Sequence, residues 1–131
     1  MEININCDLG EKSKHHSNKY DPDLLDIVNS ANVACGFHAG DDESMNQVVQ
    51  ISKKNGVSIG AHPSFNDPEN FGRQRMNLSS DEIRKLIIDQ YEILQKIADS
   101  YGEKNPNLIN PGDTVKFKQI TLEEYKNYNE Q

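Results

Sequence analysis

Three short stretches of the chain place histidines or carboxylates directly after an apolar run. They are NCDLGE at 6–11, ACGFHAGD at 34–41 and GAHPSFND at 60–67, and they carry Asp8, Glu11, His38, Asp41, His62 and Asp67. Two histidines and a carboxylate can hold a divalent metal and leave positions open for water or substrate. The same side chains can equally act as general acid and base without a metal, because imidazole titrates near neutral pH.

The elements that must position these residues are strands, one before each stretch. The predicted strands cover 3–9, 30–35 and 57–61, and the second of them is apolar on both faces, as in a covered parallel sheet. Strands and helices alternate over the first 102 residues, which predicts a parallel α/β sheet. Ligands bind beyond the carboxyl ends of such strands, and we therefore expect these histidines and carboxylates to face one crevice.

Local signals place the first two helices. A short helix starts at Asp21-Pro22, with Asp21 as the N-cap and the proline in the first helical position. A second helix is expected over 43–54, because Asn55-Gly56 is a typical stop signal.

The third helix has the strongest pattern in the chain. Ser79 and Glu82 form a capping-box signature, and apolar residues then repeat at helical spacing up to the stop at Gly102. Ile83 and Ile87 belong to this repeat, and we therefore expect both side chains on the buried face.

A long polar loop at 62–78 precedes this helix, and loops of that length in compact domains are usually functional or disordered. Its Arg73 and Arg75 can clamp a carboxylate or a phosphate. They can equally be solvated side chains that balance an acidic surface. His15 and His16 lie beside lysines in another polar loop, and we expect them to be exposed and without a role.

Composition and charge exclude some classes of function. The 131 residues carry a formal net charge of -7 and show no continuous basic stripe, which argues against nucleic acid as a partner. No apolar stretch reaches the roughly 20 residues needed to span a bilayer, and the N-terminus is not typical of a signal peptide. Cys7 and Cys35 lie in apolar runs without CxxC spacing, which favours buried, reduced thiols. We therefore expect a soluble, cytoplasmic protein that does not bind membranes.

Four motifs in order make the chain resemble the LamB/YcsF family, the family of the 5-oxoprolinase A subunit. They are NCDLGE at 6–11, SANVACGFHAGD at 30–41, GVSIGAHPSFND at 56–67 and FGRQRMNLS at 71–79. The resemblance implies a barrel-like α/β fold related to the glycoside hydrolase/deacetylase superfamily. It also implies ATP-dependent hydrolysis of 5-oxoproline to glutamate, together with two further subunits, B and C.

The family's motifs map onto all of the candidate residues except Arg75. The resemblance implies catalytic roles at the strand ends, for Asp8, Glu11, His38, Asp41 and His62. The loop residues Asp67, Arg73 and Arg75 are the candidates for binding substrate. The superfamily's geometry suggests a divalent metal on Asp8, His38 and His62.

The length of the chain departs from the family pattern. A complete barrel of this kind typically needs about 250 residues, so we expect residues 1–102 to form the N-terminal part of a truncated barrel, whose open edges favour self-association. Residues 103–131 are predicted to be a linker and a short irregular tail, part of which weakly resembles the C-terminus of the 5-oxoprolinase C subunit. Two alternatives stay open: a metal-dependent amide hydrolase or deacetylase, and an inactive remnant or partner-binding fragment.

Overall fold

The computed structural model describes residues 4–102, in which strands and helices alternate. The strands are β1 (Asn6–Leu9), β2 (Ser30–Ala34) and β3 (Ser58–His62), and the helices are α1 (Asp21–Leu25), α2 (Asp42–Asn55) and α3 (Ser80–Ser100), with a 3₁₀ turn at Pro68–Asn70. The predicted order of elements is confirmed. Two predictions lie outside the described residues: the start of the first strand at Ile3, and the linker and irregular tail at 103–131.

The three strands form one parallel sheet in the order β1-β2-β3. Its register pairs Asp8 with Asn32 on one side of β2, and Ala34 with His62 on the other. Parallel neighbours need crossover connections, which α1 and α2 provide. The predicted parallel α/β fold is therefore confirmed, and the carboxyl ends of the strands lie at one edge of the sheet.

The two faces of the sheet differ in chemistry, because successive side chains of a strand point to opposite faces. On one face, Leu9, Val33 and Ile59 are buried in the hydrophobic core. On the other face, Nδ2 of Asn32 donates a hydrogen bond to Oδ1 of Asp8 at 2.9 Å. The expectation that β2 is apolar on both faces is wrong, because Asn32 makes one of them polar.

The hydrophobic core lies between the apolar face of the sheet and the helices. Its largest fully buried apolar side chains are Leu9, Leu25, Val33, Met45, Val48, Val49 and Leu94. Full burial of one such side chain contributes about 1.5–3 kcal/mol relative to exposure. This packing fixes the strands whose ends carry the candidate site.

The helix starts are partly as predicted. Ser79 caps α3, and its side chain and that of Glu82 form the expected capping box. The prediction that Asp21 is the N-cap of α1 is wrong, since Tyr20 occupies that position without a side-chain cap. Asp21 is the first residue of α1, and its carboxylate accepts a hydrogen bond from the backbone N–H of Gly10 at 2.7 Å. A remote partner for the carboxylate thus replaces the local one that the sequence suggests.

The N-terminal half of α3 has an exposed apolar face. Ile83 is 39% exposed and Ile87 is 44% exposed, so the prediction that both are buried is wrong. The spacing alone shows that they share a face with the buried Leu94, but not that the core ends before it reaches them. None of the helices within residues 4–102 is both long enough and apolar enough to cross a membrane.

Candidate functional site

Glu11, His38 and His62 meet beyond the carboxyl ends of the three strands. Oε1 of Glu11 lies 3.3 Å from Nε2 of His38 and 3.4 Å from Nε2 of His62. One ligand atom from each residue lies within 4.8 Å of those of the other two. The parallel topology therefore brings together side chains from three separate stretches of the sequence, as the strand-end argument predicts.

Asp8 lies at the rim of this cluster rather than at its centre. Its Oδ2 is 3.9 Å from Nε2 of His62, and its Oδ1 accepts the hydrogen bond from Asn32. Asp8 is the carboxylate that the resemblance suggests as a metal ligand, whereas the geometry favours Glu11, which contacts both imidazoles. The sequence shows no signal that separates two carboxylates only three positions apart at the end of one strand.

His38 is the buried member of the cluster, with 1% of its surface exposed. Burial lowers its pKa below the ordinary value of 6.5, because the imidazolium loses its hydration. The hydrogen bond to Glu11 opposes this shift, and the nearby His62 adds to it. His38 is therefore neutral near pH 7, with one donor and one acceptor nitrogen.

The two ring nitrogens of His38 have different surroundings. Nε2 faces Glu11, whereas Nδ1 is buried and has no hydrogen-bond partner among the residues that the structure describes. A buried N–H without an acceptor is costly. Without a bound ion, the ring proton therefore favours Nε2, from which it is donated to the carboxylate of Glu11.

A close backbone contact joins the loops that carry Glu11 and His38. Gly40 has a φ of 84°, and its N–H donates to the carbonyl of Lys12 at 2.8 Å. A Cβ at Gly40 would lie 2.6 Å from the carbonyl oxygen of Gly10. Only glycine combines that conformation with so close an approach.

Asp41 is the N-cap of α2, and its side chain bonds to the first turn of that helix. Its Oδ1 accepts a hydrogen bond from the N–H of Ser44 at 2.8 Å, and its own N–H donates to Oγ of Ser44 at 2.9 Å. The Ser44 backbone bond lowers the pKa of Asp41, and Lys12, with Nζ 3.2 Å from Oδ2, acts in the same direction. The carboxylate is thus engaged in capping α2, and a catalytic role for Asp41 stays a prediction.

Asp67 holds the loop between β3 and α3 in shape. Its Oδ1 accepts from Nδ2 of Asn70 at 2.8 Å, and its Oδ2 accepts from the N–H of Gln74 at 3.1 Å. Chiefly through the Asn70 side chain, these bonds lower its pKa, so the carboxylate is ionised near neutral pH. The structure shows this local role, and substrate binding by Asp67 stays a prediction.

The loop between β3 and α3 also places the ring of Phe71 against His38. The rings of Phe71 and His38 are perpendicular, with centroids 5.1 Å apart, and His16 stacks on Phe71 at 5.2 Å. The Arg73 guanidinium lies 5.4 Å from the centroid of Phe71, and Arg75 is exposed further along the loop. His16 is exposed as predicted, but its contact with Phe71 has no signal in its polar sequence surroundings.

Gln90 of α3 supports the loop between β3 and α3. It is fully buried in α3. Its Oε1 accepts from the N–H of Ser64 at 2.9 Å, and its Nε2 donates to the carbonyl of Ser64 at 2.8 Å. Helical periodicity indicates the face on which Gln90 lies, whereas pairing with a distant loop backbone depends on tertiary packing.

Comparisons with known proteins agree with this fold. The LamB/YcsF family model matches residues 3–108. The crystal structure of a lactam utilization protein from Thermus thermophilus superposes with a TM-score of 0.72 and 35% sequence identity. The matched region covers 78% of this chain and 41% of that one.

Curated relatives are named as the A subunit of 5-oxoprolinase. The chain is 48% identical over 90 residues to the protein of Staphylococcus epidermidis RP62A, a match that covers 69% of this chain and 36% of the relative. It is 45% identical over 95 residues to the protein of Staphylococcus aureus JH9, covering 72% and 38%. The chain thus spans little more than a third of the length of these relatives.

Proposed function

The chain belongs to the LamB/YcsF family, and on that premise we propose that it contributes to the hydrolysis of 5-oxoproline to glutamate, in the manner of a 5-oxoprolinase A subunit. The names of its relatives support this substrate class, since 5-oxoproline is itself a small lactam. The observation that carries the proposal is the cluster of Glu11, His38 and His62 at the strand ends, where parallel α/β proteins bind ligands.

The reaction breaks the ring C–N bond of the lactam and adds the elements of water across it. The attacking water loses a proton, and the departing ring nitrogen gains one. His62 is suited to move these protons, because about 35% of its side chain is exposed, whereas His38 is enclosed. Glu11 orients both imidazoles, and Asp8 lies at the rim with its Oδ2 3.9 Å from Nε2 of His62.

The same cluster fits a divalent metal. Two imidazoles and one carboxylate are a common donor set for zinc with open positions. Oε1 of Glu11 lies 3.3 and 3.4 Å from the two Nε2 atoms, close to the roughly 3.3 Å between ligands of a tetrahedral zinc ion. A bound ion would polarise the lactam carbonyl. His38 would then offer the lone pair of Nε2 and carry its proton on Nδ1, for which the described residues supply no acceptor, so the bound ion would have to offset that cost.

We assign Arg73 to the carboxylate of 5-oxoproline, because its guanidinium lies against Phe71, which itself contacts His38. Arg75 on the same exposed loop is proposed as a second cation for that carboxylate or for a phosphate. Asp41 and Asp67 support these groups through α2 and the loop. We propose ATP as the co-substrate and 5-oxoprolinase subunits B and C as partners, with the reaction in the cytoplasm.

The alternative is a metal-dependent amide hydrolase or deacetylase that works without ATP or partner subunits. The three-residue cluster favours it, because such an enzyme needs only a metal-activated water and a group that moves protons. The two functions differ in their dependence on ATP.

Reconstitution with subunits B and C of a full-length relative tests the proposal. We expect glutamate to form only when ATP, 5-oxoproline and all three components are present. His62→Ala should abolish the reaction, whereas His15→Ala, an exposed histidine in a polar loop, should leave it unchanged. Failure of this chain where the full-length relative works would contradict the proposal. ATP-independent amide hydrolysis would favour the alternative.

A further inference from the structure

Phe71 has an unusual backbone for a residue with a side chain. Within residues 4–102 it is the one non-glycine residue with a positive φ, 57°. The Cβ disfavours this conformation, so contacts around the residue must hold it. Backbone strain of this kind is concentrated at functional sites. Here it turns the ring towards His38.

The backbone next to Phe71 is pressed against the site. Gly72 donates its N–H to the carbonyl of Asp67 at 2.7 Å. A Cβ at Gly72 would collide with Oγ of Ser64 and lie 2.9 Å from Cβ of His38. Ser64 in turn is held on both its N–H and its carbonyl by Gln90. The turn that carries Phe71 is therefore seated on His38 and anchored to α3.

The ring of Phe71 lies between His38 and an outer histidine. It meets His38 at an angle of 90°, and His16 stacks on it at an angle of 23°. Both are favourable arrangements for aromatic rings. His38 is 1% exposed, while His62 in the same cluster keeps about a third of its side chain accessible. The ring of Phe71 therefore contacts the enclosed imidazole of the cluster.

We propose that Phe71 is a positioning residue for His38: its ring excludes water from this imidazole and keeps Nε2 directed at Glu11. His16 forms the outer layer of the same stack. The inference deepens the proposed function, since it rests on His38 belonging to the reacting cluster. A branched aliphatic residue at position 71 cannot cover His38 with a flat ring, whereas tyrosine can.

Covalent labelling of the full chain with diethyl pyrocarbonate tests this role, because the reagent modifies accessible imidazole nitrogens and mass spectrometry locates each product. In the unsubstituted protein we expect slow labelling of His38 and fast labelling of His62. Phe71→Leu should accelerate His38 several-fold and leave His62 unchanged. Phe71→Tyr should retain the slow rate at His38.

Phe65→Leu is the matched control, because Phe65 is a half-buried residue of the same loop with no ring contact to a histidine among the described residues. It should not change the labelling of His38. An unchanged rate in Phe71→Leu would overturn the proposal. An equal acceleration of labelling at His38 and His62 in Phe71→Leu would also overturn it, because Phe71 would then stabilise the fold as a whole.

Kinetics in the reconstituted reaction provide a second measurement. Phe71→Leu should lower kcat more than it raises KM for 5-oxoproline, and Phe71→Tyr should restore kcat. A rise in KM with an unchanged kcat would assign Phe71 to substrate binding and overturn the positioning role. If the unsubstituted chain has no such activity, the proposed function fails, while the labelling result still decides what Phe71 does to His38.

Discussion

At the scale of single residues, the proton on His38 links the chemistry of the site to the stability of the fold. Burial lowers the pKa of His38 below 6.5 in the folded protein, whereas the unfolded chain has the ordinary value. Between these two pKa values the unfolded state binds more protons, so stability rises with pH across that window. Acidification below pH 6.5 should therefore lower the free energy of unfolding.

We expect the free energy of unfolding to fall as the pH drops below 6.5, when urea denaturation is followed in the presence of a chelator. His38→Gln cannot take up this proton, and its stability should depend less steeply on pH. His15→Gln is the control, because it removes an exposed histidine in a polar loop away from the cluster. The same slope in His38→Gln and the unsubstituted protein would refute this linkage.

A second prediction at this scale separates the two carboxylates of the site. Glu11→Gln keeps the shape of the side chain and removes the charge between the imidazoles, so zinc affinity measured by calorimetry should fall at least about tenfold. Asp8→Asn should weaken binding less, because Asp8 lies 3.9 Å from His62 and does not contact His38. A larger loss in Asp8→Asn would restore the assignment made from sequence.

At the scale of elements, α3 is tied to the site through one buried amide. Gln90→Leu preserves the size of the side chain but leaves the N–H and carbonyl of Ser64 without these partners. We expect a loss of about 1–3 kcal/mol in the free energy of unfolding. Gln50→Leu, at an exposed position of α2, should change it much less. Equal effects in denaturant titrations would mean that the two bonds contribute nothing specific.

How far the sequence predicts these elements depends on the range of the interaction. Ser79 and its capping box are local, and the start of α3 is predicted correctly. Asp21 has an equally good local signal, but its carboxylate is used eleven positions away by Gly10. The polar Asn32 within an apolar strand is paired across the sheet with Asp8. Local signals therefore predict where elements begin, whereas remote polar pairing decides the contacts within the site.

For the candidate site as well, some features are predictable from the sequence and others depend on remote contacts. Its location is predictable, because parallel strands end at one edge and the motifs stand at those ends. The contacts within the site are not predictable, because the course of the chain after β1 decides that Glu11, and not Asp8, lies between the histidines. The stack of His16 on Phe71 joins two loops whose sequences contain no common pattern.

At the scale of the whole molecule, the described sheet has two outer strands, β1 and β3, and neither outer edge pairs with another strand within residues 4–102. Unpaired edges and exposed apolar surface both promote association. The exposed side chains of Ile83 and Ile87 lie one turn apart on α3. Two routes to self-association are therefore present, one through backbone edges and one through the face of α3.

We expect the full chain to self-associate in sedimentation velocity experiments, and the double variant Ile83→Ser/Ile87→Ser to shift it towards the monomer. Both side chains are already about two-fifths exposed, so their replacement should cost little folding stability. Ile27→Ser is the matched control, because Ile27 is 66% exposed and lies just after α1. If all three proteins associate equally, the sheet edges are the contact; if the unsubstituted chain is monomeric, both routes are excluded.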